Sequence, residues 1–277
     1  MTNNWLGGRT EIPLRSDLVR MPARGRSSAR VLRSVLFIAS LVGSAVLAQD
    51  LTYTGLMPTL DHGARITDRF GYSLYAFDAT KLGGTTPGLE PDKPRSFIVS
   101  AELGITLRLN DRFTVTLAYL HQWLEPSVTF SRSEDRGYQQ LAHTLPLGRS
   151  ELRQRLRYEE RSVRTVETGT ITSTQRLRYR IGVKRPVAPE HWYVLAQTEL
   201  FLNTMEGLAF RLDENWTTVQ VGYAFSKASA LEGGPLYVGW YRNQQKDLLH
   251  QFYLQLTWVT RIDLRRNHAA SVPASPQ

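Results

Sequence analysis

The 277-residue chain contains no cysteine, which excludes disulfides, thiolate metal sites and cysteine nucleophiles. It also lacks an apolar run long enough for a membrane-spanning helix, which needs about 20 residues. The apolar stretch Ser34–Ala48 falls short of that. Beyond Leu51 no amphipathic helical stretch of useful length is legible. Phosphate-cradling glycine loops and the G-x-S-x-G elbow are missing. The six histidines, His62, His121, His143, His191, His250 and His268, include no pair at metal-ligand spacing. The second residue after each is Ala, Trp, Leu, Tyr, Phe and Ala in turn, so the His-x-Ser arrangement of lipid A deacylases is absent too. No cofactor or metal is expected. A Ser–His pair assembled from separate strands stays open, which keeps a lipid-modifying hydrolase as a third reading.

Acidic charge is the scarcer sign: the formal net charge is +9. Residues 1–49 hold seven arginines and two acids, so +5 of that excess belongs to the N-terminus. The remaining +4 is ordinary for the length, and nucleic-acid binding is not implied. Arg24, Arg26, Arg30 and Arg33 precede Ser34–Ala48 (SVLFIASLVGSAVLA), which ends on the small residues Val46 and Ala48. A basic region, a short apolar core and small residues at the end predict a secretory signal peptide cleaved after Ala48. Translation from Met21 would give a leader of conventional length, and residues 1–48 are read as that leader.

What the chain has in quantity is alternation. Phe97, Val99, Ala101, Leu103, Ile105, Leu107 and Leu109 are apolar, and mostly polar or small residues lie between them. Asn110-Asp111 supplies a tight turn, after which Phe113, Val115, Leu117 and Tyr119 resume the pattern. Strands of this period and length, beyond the five or six residues usual in sandwiches, suit the nine to eleven needed to cross a bilayer. Ten strands are predicted, over 66–77, 96–109, 112–124, 137–147, 150–162, 172–185, 192–203, 215–226, 235–241 and 249–262. Residues 49–65 form an N-terminal arm or a further strand, and 263–277 a disordered tail. Alternate connectors differ in length, as periplasmic turns and extracellular loops do. The fold expected is all-β, an antiparallel transmembrane barrel of 10 or 12 strands over 66–262.

The arginines decide which face points inward. Arg176, Arg178, Arg180 and Lys184 share one face of their strand, and Arg153, Arg155, Arg157 and Glu159 one face of the preceding one. An arginine in the lipid costs about 2–4 kcal/mol near the midplane, so several per strand place these faces in the lumen. Glu102 and Glu199 fall on the same inward phase, leaving Phe97, Val99, Leu103, Ile105 and Leu107 toward lipid. Such a lumen either attracts anions or is filled by Arg–Glu networks, since small barrels have little open interior. Trp123, Trp192, Trp216 and Trp258 lie near strand ends, where an interfacial girdle is expected.

The segments ELRQRLRYEERSV (151–163), TQRLRYRIGVKRP (174–186) and YVLAQTELFLN (193–203) are followed by NWTTVQVGYAFSK (215–227), PLYVGWYRNQ (235–244) and HQFYLQLTW (250–258). In this succession the chain resembles the bacterial outer-membrane barrels known as domain of unknown function 2490. The resemblance implies such a barrel and supplies no catalytic residues. Phe252, Leu254, Leu256 and Trp258 alternate like a barrel-assembly signal, although nineteen residues follow Trp258. The expectation is a non-catalytic structural or binding barrel, monomeric, in the outer membrane of a Gram-negative bacterium. Its partners would be outer-membrane lipid and, during biogenesis, the barrel-assembly machinery. A narrow anion-preferring channel is the alternative.

Overall fold

The computed structural model describes residues 51–85, 95–124, 132–187, 191–204, 209–242 and 247–265. The expected leader, 1–48, and the expected tail beyond Arg265 lie outside them. Among the described residues there is no helix. Eleven strands close into one barrel: β1 (Leu51–Arg65), β2 (Phe70–Thr85), β3 (Arg95–Arg108), β4 (Phe113–Leu124), β5 (Arg132–Leu147), β6 (Ser150–Thr165), β7 (Ile171–Val187), β8 (Trp192–Thr204), β9 (Phe210–Ala224), β10 (Ser229–Arg242) and β11 (Asp247–Asp263). Each pairs antiparallel with its chain neighbours, and β11 closes on β1 in parallel, in register from Leu51↔Leu249 to Arg65↔Asp263.

Eleven corrects the expected ten or twelve. The added strand is β1, whose residues 51–65 were left as an arm or a strand. An odd number forces the closing pair to be parallel. It also puts the start of β1 and the end of β11 on opposite rims, because Leu51 lies beside Leu249 and Asp263 beside Arg65. Strands run from 12 to 17 residues, and the connectors sort by rim. One rim carries the strand ends that flank 66–69, 109–112, 148–149, 188–191 and 225–228; the other carries the strand ends that flank 86–94, 125–131, 166–170, 205–209 and 243–246. The short-turn rim is built by local chemistry. Asn110 Oδ1 accepts from the backbone N–H of Arg112 at 2.8 Å and of Phe113 at 2.9 Å, and Gly148 sits at φ 59°, which glycine adopts freely.

One boundary and one facing differ from the sequence reading, each for a physical reason. β10 begins at Ser229, whereas Lys227–Gly234 reads as a connector in sequence. Gly234 lies inside the strand because a Cβ there would come 2.1 Å from the carbonyl oxygen of Val219; close backbone approach, not a turn, demands the glycine. Phe97 does not face outward. Ala79 pairs with Ile98 and Thr80 with Ser96, so Phe97 is the extra residue of a β-bulge. The bulge shifts the phase and buries Phe97 to 3% exposure beside Tyr53.

Elsewhere the alternation holds. Leu103, Ile105, Leu117 and Trp258 are 60%, 67%, 62% and 58% exposed, whereas Glu134 and Glu159 are 0% exposed. The barrel wears its hydrophobic face outside and its charge inside.

Candidate functional site

The interior has two walls. One comes from β1, β2, β10 and β11 and carries an apolar cluster beside neutral polar side chains such as Thr59, Gln251 and Gln255. Met57, Ala79, Leu236, Val238 and Tyr253 pack together there, and Phe77, Ile98 and Trp216 close over them. The other is charged and comes from β3 to β9. Alternation aims every second residue of these strands inward, and the register lays arginines and glutamates side by side.

Glu159 is the hub. Its carboxylate accepts from Arg176 Nε at 2.8 Å and Arg178 Nη1 at 2.8 Å, with Arg157 at 3.5 Å and Arg136 at 3.9 Å. Arg176 Nη1 also reaches Glu214 at 3.3 Å. Glu199 binds Arg155 Nη2 at 2.6 Å and Arg178 Nε at 2.9 Å. Arg157 donates to Glu102 at 3.1 Å and to Gln140 at 2.8 Å, and lies 3.7 Å over the ring of Tyr138, whose hydroxyl donates to Glu102. A further carboxylate, Glu134, ties Arg136 and Arg161 together, both at 2.5 Å. Charges out of water are tolerated only when so paired and hydrogen-bonded.

Of the residues singled out by sequence, Arg155, Arg157, Arg176, Arg178, Glu102, Glu159 and Glu199 join this network. Arg180 faces the same space but makes no ion pair or hydrogen bond among the described residues. Arg153 and Lys184 point inward nearer the short-turn rim and stand apart. Arg153 pairs with a half-exposed Glu151 at 2.8 Å; the Lys184 ammonium lies 3.6 Å over the ring of Tyr193.

Sequence reasoning missed Glu134, Arg136, Arg161, Asp213 and Glu214. Arg161 continues the phase of Arg153 to Glu159 and was legible there. Glu134 and Arg136 fall within 125–136, read as a loop, whereas β5 begins at Arg132. Asp213 is the extra residue of a bulge between Phe201↔Glu214 and Leu202↔Leu212. Trp216 is a correction: it faces the interior, its ring 5.3 Å from Phe201 and 6.3 Å from Phe77. Trp123, Trp192 and Trp258 are exposed on the outer surface. Trp240 also lines the interior.

Between the walls lies a cavity of about 1140 Å³. Its lining reaches both rims, with Arg65, Lys227 and Asp263 at the short-turn end and Arg132, Thr165 and Thr172 at the other.

A family model described as a protein of unknown function, DUF2490, matches residues 88–250, more than half of the chain. The chain belongs to the DUF2490 family. No curated protein and no solved structure gives a significant match. The DUF2490 match runs from ahead of β3 into the start of β11, so it contains every strand of the charged wall. Strands β1 and β2, half of the apolar wall, precede it.

Proposed function

We propose that this DUF2490 protein is a non-catalytic barrel of the outer membrane of a Gram-negative bacterium, exported behind a cleaved signal peptide and inserted as a monomer by the barrel-assembly machinery. Its arginine-lined lumen serves as a binding surface. The observation that carries this reading is the inverted distribution of polarity. Leucine, isoleucine and tryptophan cover the outside, and fully buried glutamates fill the inside. Water-soluble proteins seldom expose a large apolar belt; outer-membrane barrels require one. Alkaline extraction and gel mobility test it. The protein should stay with the membrane pellet and run faster unboiled than boiled. Release by alkali, or identical mobility, overturns the membrane assignment.

Two outward histidines bear on the choice between a binding barrel and a hydrolase. His121 holds Asp135 at 2.7 Å, two members of a hydrolytic triad. Its cross-strand neighbour on the other side is Ala101, which has no hydroxyl to activate. His62 bonds Thr260 at 2.6 Å and Tyr72 at 3.1 Å, without a carboxylate to orient it.

A narrow anion-preferring channel is the second reading, favoured by a cavity lining that reaches both rims. Planar-bilayer recordings separate the two. Single-channel steps with anion-selective reversal potentials support the channel, and silent bilayers with correctly folded protein remove it.

A further inference from the structure

The charged wall is unevenly matched. Strands β6 and β7 place arginine opposite arginine twice, as Arg157↔Arg178 and Arg155↔Arg180. Like charges directly across a strand pair repel unless an acid intervenes. The first row has its acids: Glu102, Glu159 and Glu199 all lie within ion-pair distance of one or the other guanidinium. The second row has only Glu199, the cross-strand neighbour of Arg180 on β8. Both of its oxygens are already engaged. Arg155 Nη2 donates to them at 2.6 and 2.7 Å, and Arg178 Nε donates to one at 2.9 Å. On the opposite side the row meets Ala142, which offers no acceptor side chain.

Two guanidiniums therefore keep uncommitted donors at one place. Arg180 has neither ion pair nor hydrogen bond among the described residues, and Arg155 engages Glu199 through Nη2 alone, its Nε buried without a partner. Both residues line the cavity. A buried guanidinium donor without an acceptor is costly, and its geometry suits a planar or tetrahedral oxyanion, which can accept two parallel N–H bonds.

We infer that the lumen holds a binding site for a small oxyanion, of the phosphate, sulfate or carboxylate class, between Arg155 and Arg180, with Glu199 positioning Arg155 from behind. The inference deepens the binding-barrel reading and names its ligand chemistry. It requires only the closed barrel, so it stands or falls separately from the membrane assignment.

Radiolabelled inorganic phosphate, dialysed against the full chain folded in detergent micelles and heat-modifiable, tests it. Saturable binding is expected, displaced by sulfate and weakly by chloride, which has no paired oxygens. Arg180→Gln should weaken binding by about ten- to a hundredfold, the value of a hydrogen bond to a charged group, and Arg180→Lys should restore part of it. Arg164→Gln, on the exposed outer face, should leave it unchanged. Absence of saturable phosphate on a heat-modifiable chain overturns the site, as does undiminished binding by a folded Arg180→Gln. Phosphate binding by protein that alkali extracts would keep the site and discard the membrane.

Discussion

The two inner walls solve one problem in opposite ways. Both must fill the inside of a closed sheet, where backbone hydrogen bonding is complete and only side-chain contacts remain to be satisfied. The wall of β1, β2, β10 and β11 does so largely by contact: Met57, Leu236 and Val238 pack against the Tyr253 ring, and only the Tyr253 hydroxyl takes a directional partner there, Gln251 at 2.8 Å. The wall of β3 to β9 does so by bonding, with Glu134, Glu159 and Glu199 each shared between two or more guanidiniums. Contact is additive and forgiving. Bonding is specific, and removing one member leaves the others buried without their partner. The difference is one of kind: the charged wall carries an unmatched arginine, and the Met57 cluster answers chiefly to volume.

Three substitutions probe this contrast, from the most to the least disruptive. Glu159→Gln removes the hub and leaves Arg176 and Arg178 short of a counter-ion. Loss of one partner from a buried charge cluster costs about 3–5 kcal/mol, to be read as a fall in the urea midpoint of the heat-modifiable species. A midpoint unchanged from wild type would show that the charged wall is slack, and would erase the distinction between the walls. Met57→Ala, at 1% exposure on the apolar wall, should cost about 2–4 kcal/mol by leaving a cavity. Restoring volume as Met57→Leu should recover most of it, whereas no isosteric swap short of the carboxylate should rescue Glu159. The smallest effect belongs to Arg153→Gln. Arg153 and Glu151 have side chains 43% and 46% exposed, where water screens the pair and its worth is about 0–1 kcal/mol. A loss as large as that of Glu159→Gln would mean the charged wall extends to the short-turn rim.

Much of the barrel was written in local pattern. Alternation in Val99–Leu107 and Phe113–Trp123 gives strands, faces and the Asn110 turn from neighbouring residues alone. The burial cost of arginine fixes the inward phase of β6 and β7 without knowledge of any partner. Three things were not legible there. Bulges at Phe97 and Asp213 shift the phase by one residue, and nothing in their local sequence announces it. Gly233-Gly234 has the composition of a turn, and only the carbonyl of Val219 explains it as strand. The odd strand count arises because β1 pairs with β11, some two hundred residues away.

The same division applies to the site. Local pattern was enough to make the chain an all-β barrel with arginines and glutamates inside, because side-chain direction in a strand follows from a two-residue period and charge avoids an apolar surround. It could not determine which arginine meets which carboxylate, since a one-residue change of register reassigns every cross-strand partner. The tertiary structure decided that Glu159 would hold several arginines, that Trp216 would turn inward, and that Arg180 would be left facing the cavity without an acid of its own.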